Sequence, residues 1–269
     1  MVLRELLARY RPLIQVLKRA GYLFGMALIF FTALPTAPDA GPIGWPNALW
    51  GWLRQSLAVW VLRGMERQLL PHGVTLIVVG PFDAFTVVLE VGFYLALIVT
   101  IPYLIYGLFH WLSPGLKPRE VRAVRYIFSL AGFLFLGGVL FTYLIILPPL
   151  YSFSQSLSPL VGAEATISIQ SFVETTFLFL IGIGLGFEIP PVCLGLSYAG
   201  VLNTRIMATQ WNYAGIACFV VAFMISPGVG GGVIETLIAL GLWSLYGLSY
   251  LLVRRVERSR RWVLPMAVT

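Results

Sequence analysis

Apolar runs of membrane-crossing length recur along this 269-residue chain, separated by short polar or basic stretches. About 20 apolar residues in a helix cross the roughly 30 Å of bilayer hydrocarbon. By that rule the pattern predicts six spans, at about 20–38, 86–110, 124–147, 173–197, 210–226 and 233–253. The runs are continuous rather than alternating, which predicts helices and not a barrel. Span one ends at Leu34-Pro-Thr-Ala-Pro38; its alternative reading is a cleaved leader, since a basic start and a short apolar core fit one. Five later spans that need a consistent orientation favour a retained helix. Span five, ending before Pro227, is barely long enough to cross, so local thinning or mutual shielding with span six is expected. Residues 39–85 form a long connection in which apolar positions from Trp50 to Leu70 recur every three to four residues. That spacing predicts an amphipathic helix at the outer interface, with a simple cap over the bundle as the plainer alternative.

Composition narrows the class further. The chain is 59% hydrophobic and 11% charged, against about 25% charged in soluble domains, and its mean hydropathy is +0.88. An all-α integral membrane protein with a single membrane domain over 1–269 is the expectation. The net charge of +7 does not point to nucleic acid, because the basic residues sit at span ends. Arg4, Arg9, Arg11, Lys18 and Arg19 precede span one; Lys117, Arg119, Arg122 and Arg125 follow span two; Arg205 follows span four; Arg254, Arg255, Arg258, Arg260 and Arg261 follow span six. Residues 148–172 contain no Lys or Arg. This asymmetry predicts cytoplasmic termini, with Arg54, Arg63 and Arg67 in the outer connection as exceptions. Cys193 and Cys218 lie within apolar spans and His72 and His110 stand apart, so neither a disulfide framework nor a metal site is expected.

One residue breaks the apolar pattern from inside. Glu188 lies in Leu180-Ile-Gly-Ile-Gly-Leu-Gly-Phe-Glu-Ile-Pro-Pro191. A charged side chain at mid-bilayer costs about 2.5–3.5 kcal/mol on insertion scales, so such a group is kept where protein or water shelters it. Counted from a span start near Val173, it lies about 22 Å in, past the midplane. Gly182, Gly184 and Gly186 allow close helix approach, and Pro190-Pro191 is expected to bend the helix. The plainer reading of Glu188 is a hydrogen bond between neighbouring helices. Glu90 and Glu235 lie near outer span ends, where headgroup water would accommodate them without a role.

Several stretches recur in a recognisable order: Leu69-Leu-Pro-His-Gly73, Gly80-Pro-Phe-Asp-Ala-Phe85, Ile101-Pro-Tyr-Leu-Ile-Tyr106 and Phe109-His-Trp-Leu-Ser-Pro-Gly-Leu-Lys-Pro-Arg-Glu120. Phe141-Thr-Tyr143 follows, with Pro148 as the end of span three, then Gly186-Phe-Glu-Ile-Pro190 and Ile225-Ser-Pro227. From about residue 69 to 253 this set resembles the TatC family, the core receptor subunit of the twin-arginine protein translocase. The chain departs from the family pattern at five positions. Gln15 stands where an acid is common and Gly228 where an aspartate follows Pro227. Gly241 and Gly247 replace a proline and a glutamate, and Glu90 replaces a lysine.

The resemblance implies a concave six-helix bundle with an outer cap shaped by Pro81, Asp83 and Phe85. It implies a non-catalytic role in a multi-pass protein of the cytoplasmic (inner) membrane: binding the twin-arginine signal peptides of folded cargo. It further implies a homo-oligomeric receptor complex with TatA-type subunits, and TatB-type subunits where present, export driven by the proton-motive force, and no cofactor. A carboxylate accepts an arginine fork through two parallel hydrogen bonds. Glu120, the sole acid between spans two and three, is the candidate acceptor, beside Arg119, Trp111 and Phe109. Its plainer reading is a solvated loop acid, and the two aromatics read equally as interfacial belt residues. Glu188, with Phe187 and Pro190, is the candidate docking point for a single-span partner or the apolar part of a signal peptide. The competing functions are a small-molecule transporter or channel, for which no internal repeat is found, and a membrane enzyme, for which neither histidine has a convincing serine partner.

Overall fold

The computed structural model describes residues 2–33, 56–71, 73–112, 118–157, 166–198, 200–226 and 232–263; within them, the side chains of 2–11, 108–126, 128–130, 157 and 259–263 are outside the description. The elements in order are α1 (Val2–Ala33), α2 (Leu57–Leu69), β1 (Thr75–Ile77), α3 (Asp83–Leu112), α4 (Pro118–Phe141), a π-helical turn (Thr142–Ile146) and α5 (Leu147–Leu157). After these come β2 (Thr166–Ser168), α6 (Ile169–Gly186), α7 (Ile189–Tyr198), α8 (Thr204–Thr209), α9 (Trp211–Ile225) and α10 (Val233–Val263). Among the described residues, five stretches are long and apolar enough to cross a bilayer: Pro12–Thr32, Asp83–Gly107, Ala131–Ser156, Ile169–Tyr198 and Val233–Arg258. Trp211–Ile225 is the short apolar helix that the pattern at 210–226 anticipated.

Two boundaries differ from expectation. The first apolar helix starts near Pro12 rather than residue 20, and α1 itself begins at Val2, so Lys18 and Arg19 lie within it. The expected end at 34–38 falls outside the described residues. The third span does not end at Pro148. The π turn Thr142–Ile146 runs directly into α5, and the Leu147 N–H bonds back to the Thr142 carbonyl. Pro148 and Pro149 follow the π turn directly within this uninterrupted helical run, and the widened turn falls just ahead of the two residues that lack an N–H for the ladder.

The chain divides into two compact units, residues 1–104 with 141–178 and residues 105–140 with 179–269. In the first, α3 runs antiparallel past α1. Gly92 meets Thr32 closely and Phe93 meets Phe24 edge-on with ring centroids 5.2 Å apart. The expected amphipathic helix is α2. Ser56 caps it by accepting from the Val59 N–H at 3.4 Å, and Ala58, Leu62, Met65 and Leu69 form its buried stripe. These positions are four, three and four residues apart, the period of one helix face. Trp60 points outward at 66% exposure, while Trp50 and Trp52 lie outside the described residues. β1 and β2 form a two-stranded parallel sheet with Thr75 opposite Thr166. Tyr151 anchors α5 to α6 through a 2.7 Å hydrogen bond with Thr176, both buried.

In the second unit α10 packs along α7 and α9. Trp211, Trp243, Tyr246 and Tyr250 form an aromatic cluster with centroids 5.5–6.4 Å from Trp211, and the Tyr246 hydroxyl donates to the Met207 carbonyl.

Candidate functional site

The second unit is organised around a row of glycines. A Cβ at Gly182 would lie 2.7 Å from Ile225 of α9, and one at Gly186 would collide with Leu242 of α10. A Cβ at Gly184 would lie 2.9 Å from Val139 and 3.1 Å from Phe135 of α4. Residues two apart on a helix differ by about 200° in direction. Gly182 and Gly186 therefore serve one side of α6 and Gly184 the other, and small residues on both sides admit close neighbours on both. The sequence predicted one close approach; the structure contains two.

The helix then stops. Phe187 and Glu188 form a two-residue turn between α6 and α7. The Phe187 N–H reaches back to the Ile183 and Gly184 carbonyls, and the Glu188 N–H to Leu185 at 3.0 Å. Helix resumes at Ile189, with Pro190 and Pro191 buried in its first turn. The break thus falls just ahead of the prolines, which lack the N–H groups that would have continued α6. Phe187 lies flat over Gly138 of α4, where a Cβ would be 2.8 Å from the ring.

Glu188 is 6% exposed, and neither carboxylate oxygen has a hydrogen-bond partner among the described residues. The backbone of Phe135 on α4 lies within reach of the carboxyl group and is its nearest polar contact from a neighbouring helix. Leaving a buried polar group unsatisfied costs about 1–3 kcal/mol, more when charged. Sequence reasoning did not single out Phe135, which carries no motif. The cue would have been its placement one turn from Gly138 on a helix facing the glycine row.

The other candidates are distributed as follows. Phe109 and Trp111 lie in the last turn of α3, and Arg119 and Glu120 in the first turn of α4, all four with side chains outside the described residues. Pro81 lies in the turn ahead of α3 and Asp83 and Phe85 in its first turn, where Asp83 accepts from the Gly80 N–H at 2.6 Å and so fixes the helix entry. Glu235 is a correction. Instead of sitting in headgroup water it is 1% exposed, with both oxygens unpartnered among the described residues. Glu90 is half-buried, within electrostatic range of Glu174 and Asp83. Among the described residues there is no cluster of three or more metal-ligating side chains.

Repeated apolar helices of bilayer length define a multi-pass α-helical membrane protein. The family model for the Sec-independent protein translocase protein (TatC) matches residues 10–240, and the chain belongs to the TatC family. It is 28% identical over 183 residues to the Helicobacter pylori Sec-independent protein translocase protein TatC, a match covering 68% of this chain and 72% of the relative. It is also 28% identical over 197 residues to the Listeria innocua protein of that name, covering 72% of this chain and 79% of the relative. A crystal structure of the twin-arginine translocase receptor TatC in DDM has the same fold. The TM-score is 0.72 at 23% identity, over 92% of this chain and 98% of that one. The chain is therefore a subunit of the Sec-independent protein translocase, and the small-molecule transporter reading is set aside.

Proposed function

We propose that this subunit is the translocase receptor, seated in the cytoplasmic (inner) membrane with both termini in the cytoplasm. In this reading it binds twin-arginine signal peptides and forms a homo-oligomeric complex with TatA-type subunits, and with TatB-type subunits where present. Transport is driven by the proton-motive force, with no catalytic step in this chain. The observation that carries the proposal is Glu188: a buried carboxylate with two open acceptor oxygens, at a helix break, among close-packed glycines. A group that costs this much to leave open is explained by a ligand that supplies the donor. Orientation is supported by the basic residues at the ends that the termini share and by the lack of Lys and Arg in 148–172.

Glu120 is the proposed acceptor of the arginine pair. It occupies the third position of α4, two residues after Pro118. A carboxylate there is also favourable to the helix dipole, which gives Glu120 a structural value of about 0.3–1 kcal/mol whatever its role. The two roles separate experimentally. Glu120→Gln should leave the purified protein folded while twin-arginine peptide binding falls at least ten-fold, and wild-type protein should bind a Lys-Lys peptide as weakly as the variant binds Arg-Arg. Unchanged affinity in Glu120→Gln rules out the assignment.

A further inference from the structure

Within the first unit, α1 is barely covered by protein: only 6% of its most apolar window is buried. Tyr22 and Met26 are each 74% exposed. Where α1 meets α3, a groove of about 710 Å³ is lined by Arg19, Tyr22, Met26, Phe30, Val99 and Tyr103, among others. The lining is apolar along its length and carries one charge, Arg19, placed at its N-terminal end. No acid is among the lining residues.

Dimensions and charge both favour one occupant. Twelve residues separate Arg19 from Phe31 on α1, about 18 Å of helix. One leaflet of hydrocarbon is about 15 Å deep. A ligand with an anionic head at Arg19 and a flexible tail reaching Phe31 matches this length and this charge. A partner helix fits less well. Close helix packing uses small residues, whereas the groove is edged by Tyr22, Met26 and Phe30, which suit a mobile chain better than a rigid rod. We infer that the α1–α3 groove is a binding site for an anionic glycerophospholipid of the leaflet on the N-terminal side, its phosphate on Arg19 and an acyl chain along Tyr22, Met26 and Phe30. The inference does not depend on the signal-peptide reading, since it uses neither Glu120 nor Glu188.

The test is native mass spectrometry of the full-length protein in detergent, titrated with phosphatidylglycerol and phosphatidylcholine of identical acyl chains. Wild-type protein should retain phosphatidylglycerol about five-fold more tightly, the size expected for one cation acting on an anionic headgroup. Arg19→Gln should remove that preference, and Lys18→Gln, outside the groove, should keep it. Ala27→Trp, which fills the groove, should lower retention of both lipids. Equal retention of the two lipids by wild type overturns the inference, as does an equal loss in Arg19→Gln and Lys18→Gln, which would indicate a diffuse field. If Ala27→Trp leaves lipid retention intact but strips a co-purifying single-span subunit or a second copy of this chain, the groove is a helix-docking surface and the lipid assignment is wrong.

Discussion

Two carboxylates in the second unit stand in opposite circumstances. Glu257 on α10 uses both oxygens: one accepts from the Thr204 N–H at 2.9 Å and the other from the Thr204 hydroxyl at 2.5 Å, tying the start of α8 to α10. Glu188 is more deeply buried and uses neither. A structural acid is recognised by the donors arranged around it. Glu188 has tight packing around it instead, with Phe187 seated on Gly138 and glycines pressed by Ile225, Leu242 and Phe135. The enclosure is built from packing alone, and in the proposed reading the donor is supplied by a ligand.

The comparison can be broken most severely at Gly138. A Cβ there would lie 2.8 Å from two ring atoms of Phe187 and 3.0 Å from its Cβ, which no rotamer change can move away. Gly138→Val should therefore displace the Phe187–Glu188 turn and cost about 2–3 kcal/mol, read as a clear drop in thermal midpoint in detergent together with loss of export. Glu257→Ala should cost somewhat less, about 1.5–3 kcal/mol for charge-assisted hydrogen bonds reduced by partial exposure. Faster amide exchange at Thr204 should accompany it, with no change around Phe187. Glu188→Leu should have the smallest effect on stability, since it replaces a buried carboxyl group that has no side-chain partner among the described residues by an apolar side chain of similar size. Its thermal midpoint should equal or exceed that of wild type. Export of a twin-arginine reporter should nevertheless collapse. A large destabilisation by Glu188→Leu would mean that the carboxylate has a structural partner after all.

The sequence was most legible where the physics is one-dimensional. Span existence follows from apolar length alone, and the α2 stripe Ala58, Leu62, Met65 and Leu69 follows from its period. Boundaries were less legible where two rules compete. Proline reads as a stop, yet Pro148 and Pro190 both lie inside longer spans, because a π turn in one case and a two-residue turn in the other come first. Lys18 and Arg19 read as flanking charges, yet α1 runs through them. Glu188 was visible as an anomaly in an apolar run, and so were the glycines. That its oxygens stay open, that α4 approaches from the far side, and that Glu235 is buried are facts of tertiary packing with no local signature.

The most direct measurement is photo-crosslinking from a benzophenone side chain at position 188, in membranes containing the single-span subunits and a twin-arginine precursor. The account predicts adducts with the signal peptide or a single-span subunit that diminish when the twin arginines are replaced by lysines or the subunit is withheld. Adducts confined to α4, α9 and α10 of the same chain, unchanged by either manipulation, would contradict it.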